Sequence, residues 1–220
     1  MSSFGKYTYG DPKIQWQNSD AKLIVKNFTS IAENVTINLG NGCGHDTSFV
    51  STYPFSFIHR DIFVVENKSR NTRGDVIIGN DVWIGENVVI MSGVTIGDGA
   101  VIANNSHVHK NIEPFSINGG NPCQKIKYRL APEQIERLVE IKWWDWSDEK
   151  IRFYLPWICS PNVDDFLLLV EKGEYEKSLV HDEPVTEGAT VVVVKKEPEP
   201  HHNFSFLRKV WKWFVSRRTS

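Results

Sequence analysis

Six residues separate each of Ile78, Ile84, Ile90, Ile96, Ile102 and Val108. A second series keeps the same spacing two residues earlier: Val76, Val82, Val88, Val94, Ala100 and Ser106. Small residues follow many of the first series, at Gly79, Gly85, Gly97 and Ala103. A period of six fits neither a helix at 3.6 nor an isolated strand at 2. It predicts a solenoid in which each hexad forms one flat side of a triangular coil, with aliphatic columns stacked along the axis. The same phase occurs earlier, with Val25, Ile31 and Ile37 inward and Leu23 and Val35 two residues ahead. Ile37 and Ile78 are 41 residues apart, which is not a multiple of six. A segment of about 40–74 is therefore inserted into the coil, and loops of that length in a compact repeat are usually functional. Its aromatic residues, Tyr53 and Phe55 among them, point to a packed segment.

The repeat tapers at 111–122, where Gly119, Gly120 and Pro122 signal a turn. Pro132 suits a first helical turn, and Ile135, Leu138, Val139 and Trp143 follow at helical spacing, so a helix is expected over 132–144. Ser147 is a fair N-cap for a short helix stopping before Pro156, and Asn162 for a third helix over 163–172 ended by Gly173. The segment 181–203 reads as a linker rich in proline and acids, within which Val191–Val194 is a weak strand signal. The stretch 204–220 places Phe204, Leu207, Val210, Trp211, Phe214 and Val215 near one helical face, flanked by lysines and arginines. A basic amphipathic helix of this kind either lies in a membrane interface or docks on protein. The expected organisation is a coil over 1–130, a helical segment over 131–180, the linker and this terminal helix.

The formal net charge of −2 gives no reason to expect a nucleic-acid partner. Three scattered cysteines argue for a reducing compartment. No signal-peptide pattern and no membrane-spanning apolar run is seen, so a cytoplasmic location is expected, with 204–220 as a candidate contact to the inner face of the membrane. His107 and His109 flank the inward Val108 and point outward without an evident third ligand, so no metal is expected.

The run GDVIIGNDVWIGENVVIMSGVTIGDGAVI (74–102) resembles the hexapeptide-repeat acyltransferases. More narrowly, NGCGHDTSFVSTYPFSF (41–57), NGGNP (118–122) and IKWWDW (141–146) resemble their xenobiotic acetyltransferase branch, which holds chloramphenicol and streptogramin acetyltransferases and surface-sugar O-acetyltransferases. The resemblance covers about 1–170. It implies a left-handed parallel β-helix with an inserted active-site loop and C-terminal α-helices. It also implies a homotrimer, with acetyl-coenzyme A in the cleft between neighbouring subunits.

His45 is the candidate general base. A hydroxyl or amine attacking a thioester must lose its proton, and an imidazole of pKa about 6.5 can take it at neutral pH. On its own a lone loop histidine reads more readily as a surface residue; the resemblance assigns His45 the catalytic role. Asp46 is a candidate to orient it, although a solvated surface acid is the weightier reading. Cys43 is either an acetyl-accepting thiolate or, as we favour, a small packed thiol.

Lys110, Lys125, Lys127 and Arg129 lie near the end of the coil, where cofactor phosphates want cations. By position against the family's motifs, Asn104, Lys110 and Lys127 match residues that contact the pantetheine arm or the phosphates. The family usually has alanine or glycine near Asn104. Trp83 matches a tryptophan beside the thioester. Acceptor binding in this branch draws on the first coil and the insertion, which makes Tyr7, Tyr9, Trp16 and Tyr53 candidates; Phe55 is expected in the core. The extra C-terminal stretch favours a sugar or surface-glycan precursor as acceptor. The alternatives are a xenobiotic O-acetyltransferase and, outside enzymes, a β-helix scaffold.

Overall fold

The hexads deal their strands in rotation onto three sheets. A computed structural model describes residues 2–16, 20–40, 45, 48–59, 61–63 and 72–180. The first sheet carries β1 (Ser3–Phe4), β3 (Leu23–Val25), β6 (Val76–Ile78) and β9 (Thr95–Ile96). The second orders β4 (Ser30–Ile31), β7 (Trp83–Ile84), β10 (Val101–Ile102), β12 (Ser116–Gly119) and β13 (Gln124–Tyr128). The third orders β2 (Lys13–Gln15), β5 (Thr36–Asn38), β8 (Val89–Ile90) and β11 (His107–Val108). These pairings are parallel except β12 with β13. The chain thus circles a three-sided prism.

Strands this short are held by what they stack upon. Both predicted columns point to the axis: Ile78, Ile84, Ile90, Ile96, Ile102, Val108 and their partners two residues earlier are at most 2% exposed. Burying each isoleucine contributes about 1.5–3 kcal/mol. The earlier hexads join the same core, with Leu23, Val25, Ile31, Val35 and Ile37 all buried.

The corners are tied by side-chain amides and carboxylates. Asn27 Oδ1 accepts the Lys6 N–H at 2.9 Å, Asn80 Oδ1 the Asn27 N–H at 3.0 Å, and Asp98 Oδ1 the Asn80 N–H at 2.6 Å. Each rung caps a backbone donor that the corner frees from the sheet ladder. The residues after the inward slot are small because coils nearly touch there. A Cβ on Gly85 would stand 2.8 Å from Asn104 N, and one on Gly97 2.5 Å from Pro114 N.

One expectation about the coil's end is revised. The coil does not taper at 111: Ile112 still bridges Ile96, and β12 adds a further strand before turning back into the β12–β13 hairpin. The return strand is exposed along its length, so it left no hydrophobic period to read.

Of the two expected side-chain caps in the helical segment, one is made. Helix α2 spans Pro132–Ile141 and ends where Lys142 enters the left-handed region (φ 47°). Trp143–Asp145 is a separate 3₁₀ turn, so the helix expected to 144 stops earlier. Helix α3 (Asp148–Ile158) is capped by Ser147, whose hydroxyl accepts the Lys150 N–H at 3.3 Å. It runs through Pro156 instead of stopping before it. The proline falls in the last turn, and Tyr154 and Trp157 on either side pack into the aromatic cluster that holds the helix end. Helix α4 (Val163–Glu171) follows Asn162, whose side chain makes no cap bond. An unexpected helix, α5 (Glu174–Val180), follows Gly173. These helices enclose Leu138, Trp144, Tyr154, Phe166 and Leu167 around Phe115, which the coil contributes. The expected linker 181–203, its strand signal and the helix over 204–220 lie outside the described residues. No helix among the described residues is long and apolar enough to cross a membrane.

The stacking predicts sharply different costs for near neighbours in sequence. Ile84→Ala should destabilise the chain by about 2–5 kcal/mol and Glu86→Ala by no more than about 0.5 kcal/mol, read from chemical unfolding of both variants.

Candidate functional site

The insertion springs from the edge between the third and first sheets, after β5 and before β6. His45 lies on it, solvent-exposed, with Nδ1 2.8 Å from the Thr52 carbonyl oxygen. A carbonyl only accepts, so Nδ1 carries a proton here, and in the neutral ring Nε2 keeps its lone pair. Cys43 and Asp46 lie outside the described residues. The orienting group identified is main chain, which a search for a partner acid does not find.

Downstream of Thr52, Tyr53 Oη lies 3.0 Å from His59 Nε2, and the two residues bracket the one-turn helix α1 (Phe55–Ile58). Tyr53 packs on Phe55, with ring centroids 4.7 Å apart, and Phe55 on Phe63 at 5.1 Å. Phe55 was expected in the core; it is 40% exposed. Tyr53, Phe55 and Phe63 pack on one another rather than on the coil axis, whose positions the hexads already fill.

A second group of candidates lies on the second sheet. Strand register aligns Tyr9, Ser30, Trp83, Val101, Ile117 and Lys127 in one row across it. Ile31, Ile84 and Ile102 point to the axis, so this row faces outward. At about 4.8 Å per strand, the row spans about 24 Å. Trp83 is 56% exposed and, with Phe28, Ala103 and Asn104, lines a groove of about 640 Å³.

Asp81 and Arg129 also line the groove. The guanidinium donates to the Gly99 carbonyl at 2.6 Å and lies 3.4 Å from the Asp81 carboxylate. Burial pushes the Asp81 carboxyl above its ordinary value, with Arg129 pulling the other way. Lys125 is bound to Glu113 at 2.7 Å. Both cations thus have structural partners, while Lys127 stands on the outward row.

The structure divides the site residues between two places. Tyr9, Trp83, Asn104 and Lys127 gather on or beside the second sheet. His45 and Tyr53 share the insertion, and Trp16 and Lys110 lie where the chain passes from the third sheet to the first, along the edge that bears it. Lys110 is therefore not brought to Lys127. Tyr7 is engaged elsewhere: its hydroxyl donates to the Asp148 carboxylate, which raises the phenol's pKa, and its ring packs on Phe28. Asn104 has a structural use too, since its Oδ1 accepts the Glu86 N–H at 3.1 Å across adjacent coils. This contact caps a different corner from the Asn27–Asn80–Asp98 ladder and was legible only as an asparagine near a turn.

Comparison with known proteins adds to this geometry. Residues 75–110 match the family described as bacterial transferase hexapeptide (six repeats). The chain is 41% identical over 143 residues to a chloramphenicol acetyltransferase of Klebsiella aerogenes, covering 64% of this chain and 68% of that one. It is 48% identical over 132 residues to a probable macrolide acetyltransferase of Lysinibacillus sphaericus, covering 59% and 73%. It is 37% identical over 172 residues to a virginiamycin A acetyltransferase of Staphylococcus aureus, covering 73% and 78%.

Two outcomes test the structural roles just described. Asn104→Ala should cost about 0.5–1.5 kcal/mol in chemical unfolding by removing the acceptor of the Glu86 N–H. For Asp81, a raised native pKa means that the folded state holds the proton longer than the unfolded chain. Its contribution to stability therefore falls as pH rises from near 3.8 toward the raised value. Asp81→Asn removes that fall, so its stability relative to the parent should climb over the same window in unfolding curves taken at stepped pH.

Proposed function

Because the chain belongs to the hexapeptide-repeat acyltransferases, in their xenobiotic acetyltransferase branch, we propose that it moves the acetyl group of acetyl-coenzyme A to a hydroxyl of a drug-like acceptor. The relatives support an antibiotic-type acceptor over the sugar precursor expected from the C-terminal stretch: they are named for chloramphenicol, macrolide and virginiamycin A acetylation. The stretch that favoured sugars lies outside the described residues.

One observation carries the mechanism, the 2.8 Å contact of His45 Nδ1 with the Thr52 carbonyl. With Nδ1–H donated there, Nε2 removes the acceptor's hydroxyl proton as its oxygen attacks the thioester carbonyl. The carbon–sulfur bond then breaks, and the leaving thiolate takes the proton back from Nε2. No acetyl-enzyme is needed. Trp83 stands beside the thioester, and Lys127 offers a charge to the donor's phosphates at the end of the row.

The hexads wind as a left-handed helix, and three chains close around a common axis. Each cleft is formed by the insertion of one protomer and the second sheet of its neighbour. The topology of the single chain supports this: the insertion leaves the prism edge opposite the sheet that carries Trp83 and Lys127. Two half-sites on opposite sides of one prism become whole sites when copies pack in a closed ring.

The test is thiol release from acetyl-coenzyme A with chloramphenicol, a macrolide, a streptogramin A and nucleotide-linked sugars in parallel. Turnover with an antibiotic, lowered by about 10²–10⁴ in His45→Ala, is expected. Turnover with sugars alone would return the acceptor to the surface-glycan class, and an unimpaired His45→Ala would remove the general base.

A further inference from the structure

We propose that His59 is a positioning residue that acts on His45 through Tyr53 and the Thr52 carbonyl. The inference rests on the reading of His45 as general base. Side chains presented on loops hold their geometry poorly unless hydrogen bonds lock them. His45 is exposed, so core packing does not fix its ring. What aims it is the Thr52 carbonyl, and that carbonyl can do so only while its own peptide is held.

The next residue is the point of attachment. The Tyr53 N–H donates to Ser51 Oγ at 3.1 Å, and the Tyr53 carbonyl accepts the Phe55 N–H at 2.9 Å. The first of these bonds holds the same planar peptide that carries the Thr52 carbonyl, but from only two residues away, and the second sets the turn. The Tyr53 side chain makes the longer reach, across α1, to His59 Nε2 at 3.0 Å. The rings of Tyr53 and His59 lie nearly parallel, 15° apart with centroids 6.1 Å apart. His59 is itself anchored: its N–H donates to the Phe55 carbonyl at 2.8 Å, its carbonyl accepts the Phe63 N–H at 2.8 Å, and its ring meets Phe63 edge-on. The pair therefore staples the turn before α1 to the turn after it. The peptide bearing the Thr52 carbonyl is the next unit outward from that staple.

The chemistry needs only a hydrogen bond at His59 Nε2, in either direction. With Nε2 unprotonated, the Tyr53 hydroxyl donates to it; with Nε2 protonated, the hydroxyl accepts. A glutamine places an amide nitrogen near the same point and keeps the staple, whereas leucine removes it.

The experiment compares the parent with His45→Ala, His59→Leu, His59→Gln, Tyr53→Phe and the double variant His59→Leu/Tyr53→Phe. Each is assayed by thiol release with the acceptor that the parent turns over best, and melted to confirm folding. A catalytic group displaced by about 1 Å can lose about 10²-fold, so His59→Leu should lower kcat by about 10–100-fold. KM for acetyl-coenzyme A should stay within about twofold, since the donor's row belongs to the neighbouring protomer's second sheet and not to the stapled segment. His59→Gln should recover most of the loss, and the double variant should be no worse than the weaker single, as expected for two ends of one contact. If His59→Leu does not fold, Tyr53→Phe carries the test by deleting the one oxygen. Parental kcat in His59→Leu, equal losses in His59→Leu and His59→Gln, or additive losses would overturn the positioning role while His45→Ala stays inactive and the base reading stands. An active His45→Ala would instead overturn the base reading, and this inference with it.

Discussion

Coil-on-coil register is the constraint on which the rest depends. Strands of two or three residues have too few hydrogen bonds to persist alone, so each is stable only when its residues lie directly over those one circuit away. Through the central coils the register keeps one step: Trp83 lies over Val101, Val89 over His107, and Ile77 over Thr95. It keeps the inward columns on the axis, brings asparagine and aspartate oxygens under the backbone donors of neighbouring corners, and forces glycine where backbones meet. An error of one residue in any coil would move an isoleucine into water and leave a cap without its donor.

The same register arranges the outer surface. Because side chains alternate, a column of buried isoleucines guarantees a parallel row of outward residues beside it. On the second sheet that row becomes a recognition surface, with Trp83 near its middle and Lys127 on the return strand of the hairpin. The groove there is not made by the coil alone. Phe28 reaches it from a corner where it adopts φ 58°, and Arg129 lines it from just beyond the hairpin. The rigid prism supplies the platform, and its corners and terminal hairpin supply the shape.

The insertion follows another logic. It interrupts the prism between β5 and β6, yet β3, β4 and β5 still pair with β6, β7 and β8 as if nothing intervened. The coil thus tolerates the loop at little cost, since both ends of the loop are held by the strands on either side of it. What the insertion needs it builds from its own residues: a one-turn helix, an aromatic cluster of Tyr53, Phe55 and Phe63, and two histidines each engaged by a neighbour within the same segment. Reactive side chains placed on such a segment can be adjusted without disturbing the core beneath.

From the sequence alone came the six-residue phase, the inward positions of its two hexad runs, the break near residue 40, the cap at Ser147 and the first turn at Pro132. All of these are local signals, repeated or chemically distinctive. His45 and Trp83 were also legible, because their surroundings resemble a family's motifs. Only the tertiary structure decided that Asn104 caps a neighbouring coil, that Lys110 stands on a different edge from Lys127, that Tyr7 serves Asp148, and that Phe55 packs within its own loop. Those outcomes depend on which residue comes to lie beside a given one after a circuit of the prism, and on main-chain groups such as the Thr52 carbonyl that carry no sequence identity. A periodic pattern specifies which way a side chain faces; its partner is specified only when the turns are closed and stacked.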